Sequence, residues 1–168
     1  MLLELTKPQK RLYTRLYVSM CDLEHASSCA SHLLKKGWHN APWERRGSIY
    51  FQQSAFTSAM VNAYGRPFTS FKDKWEEHLL QLLQYSEAQL VLHKTLIDLR
   101  NQVCAHSDTR LVSIMPWRAE DFETDIITQT FLRVSKPDCQ QVVEVVSRAS
   151  PILAGAMRAI IQKSNDVV

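Results

Sequence analysis

Leu12, Leu16, Leu23, Ala30 and Leu34 fall on one face of a helix, with Tyr13 and Met20 beside them. That spacing predicts a single helix over residues 6–36, and a helix this long commits a 168-residue chain to helix-on-helix packing. Thr6 suits its N-cap, Pro8 its first turn and Gly37 its stop. A second helix is expected over 43–63, with Ile49, Phe56, Met60 and Ala63 as its apolar stripe. The segment Tyr64-Gly65-Arg66-Pro67-Phe68 should end it, because glycine and proline together break the hydrogen-bond ladder. A loop carrying Lys72, Asp73, Lys74 and Trp75 follows.

A third helix starts at about 76 or 86 and runs to about 105, because Leu92, Leu96, Leu99 and Val103 step by four, three and four. Two β-leaning runs follow, 111–115 and 126–134, separated by an acidic linker at 119–125. They read as a hairpin with a long loop. A last helix covers 137–163, with Pro137 in its first turn, a kink at Pro151, and Val142, Val146, Ala149, Leu153, Ala156 and Ile160 as its stripe. The expected fold is therefore a mainly α, antiparallel helical bundle with a small β-hairpin insertion, in a single domain over 1–168.

Composition agrees and removes alternatives. Four glycines and six prolines are too few for many strands joined by tight turns. Hydrophobic residues at 45% and charged residues at 22% suit a globular core and exclude disorder as the main state. No apolar run approaches the roughly 20 residues of a membrane span, and Met1-Leu2-Leu3-Glu4-Leu5 is too quickly charged for a signal peptide. The expected location is cytoplasmic, with no membrane partner. A net charge of +3 permits nucleic-acid binding without arguing for it.

Cys21, Cys29, Cys104 and Cys139 form no CxxC pair, so they read as small buried hydrophobes. No Walker A sequence, GxGxxG or HExxH occurs, and no cofactor is expected. Cys21, His25, Cys29 and His32 share one side of the first helix, which raises the question of zinc and a zinc-assisted hydrolase. However, the eleven residues from Cys21 to His32 span about 16 Å of helix, too far for one ion to bind all four. They read as a secondary buried face or a dimer contact, and no metal is expected.

The most informative stretch is Leu99-Arg100-Asn101-Gln102-Val103-Cys104-Ala105-His106-Ser107-Asp108. A cation, an amide and an imidazole lie within two turns at a helix end. These groups suit phosphodiester cleavage in RNA. A histidine can take the proton of a ribose 2′-hydroxyl or give one to the leaving 5′-oxygen. A guanidinium can hold the phosphate and the charge that develops on it. The substrate brings its own nucleophile, so the chemistry needs no metal. Six residues apart on a straight helix, Arg100 and His106 sit about 120° apart with about 9 Å of rise, so they share a face only if the helix bends or ends between them, or if a second subunit completes the site. A second assignment of the same residues stays open, in which Arg100 makes a salt bridge and His106 caps the helix C-terminus.

The same stretch resembles the signature of the HEPN superfamily, an Arg followed by a polar residue and, a few positions on, a His near the end of a long helix. Its Ala-His-Ser-Asp ending is similar to bacterial members associated with abortive infection and toxin–antitoxin systems. The surroundings, with Ser54-Ala55-Phe56, Tyr64-Gly65-Arg66-Pro67-Phe68, His93 and Leu96, resemble such proteins over roughly residues 45–110. The resemblance implies a helical bundle that forms a homodimer, with Arg and His of both subunits meeting in an interfacial cleft. Active members are metal-independent endoribonucleases that leave a 2′,3′-cyclic phosphate. Carried over by position, Arg100 would stabilise the phosphate, His106 would be the acid or base, and Asn101 the polar support. RNA and an antitoxin protein are the implied partners, and phage defence or a toxin–antitoxin response the implied setting. The family also holds inactive relatives, so the alternative is a non-catalytic helical dimer that binds RNA or a partner protein.

Two further residues qualify as weaker substrate contacts. His93 precedes Arg100 by seven residues on the same side of the helix, and either faces the same cleft or is an ordinary core or surface histidine. Arg66, at the expected helix end, either holds a phosphate or pairs with a carboxylate. Tyr64 and Phe68 read as core residues rather than base-stacking ones.

Overall fold

Thr6 starts the first helix, α1 (Lys7–Lys36), with a reciprocal cap in the computed structural model. Its hydroxyl accepts the Gln9 N–H at 3.5 Å, and the Gln9 side chain accepts the Thr6 N–H at 2.9 Å. Gly37 stops the helix at a φ of 63°, where its N–H reaches the Leu34 carbonyl and the Trp38 N–H reaches that of Leu33. This pair of bonds satisfies carbonyls the helix end would otherwise orphan, and glycine takes the left-handed conformation without a Cβ penalty. The residues described are 4–39, 47–69, 74–101, 112–120, 122–129 and 134–165, with backbone alone at 112–114, 126–129 and 165.

α2 (Ser48–Thr69) runs on through the segment expected to end it. Tyr64, Gly65, Pro67 and Phe68 are all helical and buried. Pro67 removes one ladder bond, to the carbonyl four residues earlier, but it lies in the last turns and its ring is buried. Burial of Tyr64 and Phe68, at about 1.5–3 kcal/mol for a large apolar side chain, outweighs a local breaker. Ile49 departs from the expected stripe and is exposed.

The third expected helix is two. α3 (Trp75–Leu83) begins at a residue read as loop, and ends at Gln84, whose φ is 50°. Ser86 then opens α4 (Glu87–Leu99) with a second reciprocal cap, its hydroxyl on the Gln89 N–H and the Gln89 side chain on its own N–H. α5 (Lys136–Asn165) is continuous through Pro151. Pro151 and Ser147, whose carbonyl loses its helical partner, both lie on the solvent face, so water can satisfy that carbonyl.

The core is one cluster. α1 packs chiefly on α2 and α5. It contributes Leu16, Leu23, Ala26, Ala30 and Leu33, while α5 contributes Val142, Val145, Val146, Ala149 and Leu153. α3 and α4 pack on α2 and close the bundle with Trp75, Leu79, Leu92 and Leu96. Cys29 and Cys139 are buried in it, and burial pushes the Cys139 thiol up to about 11. Cys21 departs from the expected buried set and is exposed, and Cys104 lies outside the described residues.

β1 (Val112–Ala119) and β2 (Phe122–Gln129) pair antiparallel from Val112↔Gln129 to Ala119↔Phe122. The long acidic loop is thus replaced by a two-residue connection, with Glu123 and Asp125 inside β2. Alternation along a strand explains it, since these acids sit on one face with Arg118, which pairs with Glu123. No helix among the described residues packs closely on the hairpin. No helix of the described chain is long and apolar enough to cross a membrane.

Candidate functional site

α4 ends in a widened turn at Arg100 and Asn101, with π-type rather than α-type closure. The Arg100 N–H still reaches the carbonyls of Leu96 and Ile97, which anchors the backbone of this residue to the last regular turn.

The Arg100 side chain lies across α2 at Gly65. A Cβ built on Gly65 would stand 2.3 Å from Arg100 Cδ and 3.2 Å from its Nε. Only glycine leaves that room, so α2 supplies a flat saddle on which the arginine stem rests. The guanidinium donates through Nη1 to the Asn101 side-chain oxygen at 3.0 Å. Its Nε is buried and has no acceptor among the described residues. A buried N–H left unmade costs about 1–3 kcal/mol, a cost that an oxyanion would relieve. Asn101 takes Nη1, while Nη2 has no acceptor among the described residues.

His106 lies outside the described residues. His93 is described, and it is turned inward. Its ring is buried where α2, α3 and α4 meet, with Nδ1 3.3 Å from the Tyr64 hydroxyl and Nε2 3.4 Å from a Glu76 carboxylate oxygen. Phe68 packs edge-on against it at 4.5 Å between ring centres. Burial lowers the His93 pKa, and hydrogen bonding and charge from Glu76 oppose that shift. Burial also raises Tyr64 well above the usual phenol value and pushes Tyr85 up to about 12, so both hydroxyls stay protonated. His93 therefore ties α4 to α2 and α3 rather than facing a cleft.

Arg66 follows Gly65 but points the other way. It pairs with Asp22 of α1 at 2.6 Å. The structure thus brings together Gly65, Arg100 and Asn101, sets His93 one layer deeper, and turns Arg66 toward α1. The sequence does not mark Gly65 as a site residue, because beside Pro67 it reads as a helix stop. A glycine inside a helical pattern is also the mark of close approach by another chain segment, and that signal was available.

The zinc candidates divide along α1. Cys21 and His25 are exposed, whereas Cys29 is buried and His32 stacks on Phe56 at 4.2 Å and meets Trp38 edge-on at 5.5 Å. One helix face is open in its middle and covered at its C-terminal end, as a partly buried face requires.

Compared with protein-family models, curated proteins and solved structures, the chain matches none.

Proposed function

We propose that the chain acts on RNA as a metal-independent endoribonuclease, with Arg100, Asn101 and His106 as its working residues and a homodimer completing the cleft. The observation that carries this reading is the Arg100 guanidinium, held on Gly65 and steadied by Asn101 with its Nε lacking an acceptor among the described residues. An arginine placed only for stability would be expected to end on a carboxylate, as Arg66 does.

In the proposed reaction the ribose 2′-oxygen attacks the adjacent phosphorus. The new bond from 2′-oxygen to phosphorus forms as the bond to the 5′-oxygen breaks, giving a 2′,3′-cyclic phosphate and a 5′-hydroxyl. His106 takes the 2′-proton or supplies one to the leaving oxygen. Arg100 holds the non-bridging oxygens while charge builds on them. Asn101 orients the guanidinium and transfers no proton. A protein antitoxin as partner and a role in phage defence belong to the same proposal.

RNA cleavage by the wild type in EDTA, compared with His106→Ala, tests the reading. Cleavage that survives the chelator, stops with a 2′-deoxy sugar at the cut and is lost in the variant supports it. RNA binding without cleavage would instead establish the non-catalytic dimer. A monomer by light scattering at micromolar concentration would remove the composite cleft.

A further inference from the structure

Directly opposite residues of an antiparallel pair point to the same side of their sheet. The register of β1 and β2 therefore sorts the hairpin into two faces. Pro116, Arg118, Glu123 and Asp125 lie on one, and Met115, Trp117, Ala119, Phe122 and Thr124 on the other. The second face is largely apolar and carries two aromatic rings, with 6.4 Å between the ring centres of Trp117 and Phe122.

Such alternation is the pattern of a sheet with one face packed and the other in water. Here the apolar face is open. Met115 is 53% exposed, Trp117 45% and Phe122 60%, and no helix among the described residues packs closely on either strand. A two-stranded hairpin alone in water is marginal, and packing of its apolar face against a helix is one way to make it stable. Trp, Phe and Met are also the side chains enriched at protein interfaces. With eight residues in each strand, the hairpin is an arm about 27 Å long.

Charge selects what covers the arm. Residues 112–129 hold one cation, Arg118, and four acids, Glu120, Asp121, Glu123 and Asp125, a net charge of −3. The whole chain is +3, so the rest of it, without the hairpin, carries +6. An arm of this sign is repelled by the phosphates of RNA and by an anionic bilayer. Two hairpins laid face to face would set like charge against like charge. The helical part of a second copy is opposite in sign. A two-fold axis lets each copy lay its arm on the other, so the contact forms twice.

We propose that the β1–β2 hairpin is a dimerisation arm, whose Met115, Trp117 and Phe122 face docks on the helical body of a second copy of this chain. The inference rests on the homodimer of the reading above and names the element that joins the two copies. It does not depend on cleavage.

The test uses the full chain at micromolar concentration, with oligomeric state read by sedimentation velocity. The wild type should be a dimer. Trp117→Ser/Phe122→Ser should weaken dimerisation at least about tenfold and leave the melting temperature of the helices unchanged. Glu120→Lys/Asp125→Lys reverses the sign of the arm while keeping its apolar face and the pair of Arg118 with Glu123. It should weaken dimerisation strongly in low salt and less in high salt. Met115→p-benzoylphenylalanine, irradiated in a mixture of isotope-labelled and unlabelled chains, should cross-link one copy to a helix of the other. A monomeric wild type overturns the proposal, as does a dimer that either double variant leaves as tight as before. Cross-links confined to one copy, or running from hairpin to hairpin, overturn it as well. The two readings can fail separately. An arm-dependent dimer that never cleaves RNA leaves the arm standing and removes the nuclease. RNA cleavage by a dimer indifferent to both double variants does the reverse.

Discussion

α2 meets its neighbours along two seams, and each holds an arginine. On the α1 seam Arg66 ends on the Asp22 carboxylate at 2.6 Å, a paired charge that needs nothing more. On the α4 seam Arg100 ends on a neutral amide, its stem pressed to Gly65 and its Nε without an acceptor among the described residues. The two residues flank the same point of α2 and share one side-chain chemistry. Their difference separates an arginine used by the fold from one with binding capacity left over.

The sharpest way to break this comparison is to remove the proposed proton-transfer residue and the proposed charge-stabilising residue in turn. His106→Ala and Arg100→Ala should each lower RNA cleavage by about 10²–10⁴-fold, with melting temperatures near wild type. Arg100→Lys should restore only part of the loss, because an ammonium lacks the planar fork. If His106→Ala lowers the melting temperature and spares cleavage, His106 is a helix cap and the nuclease reading falls.

Gly65→Ala tests the saddle. The atoms nearest the new Cβ all belong to the flexible stem of Arg100, so the fold should hold, and alanine favours a helix over glycine by about 0.5–1 kcal/mol. The arginine must shift, and a displacement of order 1 Å at a reacting group can cost about 10²-fold in rate. Cleavage should therefore drop while thermal stability stays level or rises. Equal drops in both would mean that Gly65 serves packing alone.

His93 gives a smaller, pH-dependent effect on the same seam. Its pKa is lowered in the folded protein, so the unfolded chain binds the proton more readily. The stability it contributes is complete above the ordinary histidine value of about 6.5 and is lost as pH falls through that value toward the folded one. Thermal melts across that window should show the loss in the wild type and less of it in His93→Gln. Identical pH profiles would mean that the ring is not desolvated as placed.

The smallest effect belongs to the paired arginine. Arg66 is 46% exposed and Asp22 16%, so a double-mutant cycle of Arg66→Ala and Asp22→Ala should return a coupling of about 0–1 kcal/mol after solvent screening. Cleavage should not change in either variant. A loss of cleavage in Arg66→Ala would join the two seams into one site.

α1 and α5 were legible in the sequence because their apolar stripes are long and their ends carry local signals, Thr6 and Gly37 for one and Pro137 for the other. α2 extends past Gly65 and Pro67, beyond its expected end, because a breaker acts locally whereas the burial of Tyr64 and Phe68 is tertiary. The division of α3 from α4 had a readable sign, Ser86 with Gln89 three residues on, that the leucine spacing overshadowed. The hairpin connection was hidden because acids on a solvent-facing strand edge look like a loop when their pairing partner is unknown. Arg100 and Asn101 stood out as a motif, yet the surface beneath the arginine comes from α2, thirty-five residues earlier, and no spacing rule reaches that far.

The pairing of α1 with α5 governs the order in which this fold can be completed. Contacts between segments more than a hundred residues apart are costly to close and arrive late, so folding is slower than in a bundle built from sequential neighbours. During synthesis α1 emerges well before α5, so the part of its apolar surface that packs on that last thirty-residue helix stays uncovered until the helix is made. A chain truncated within α5 would carry that open surface permanently, making it a target for chaperones and proteases before any question of activity arises.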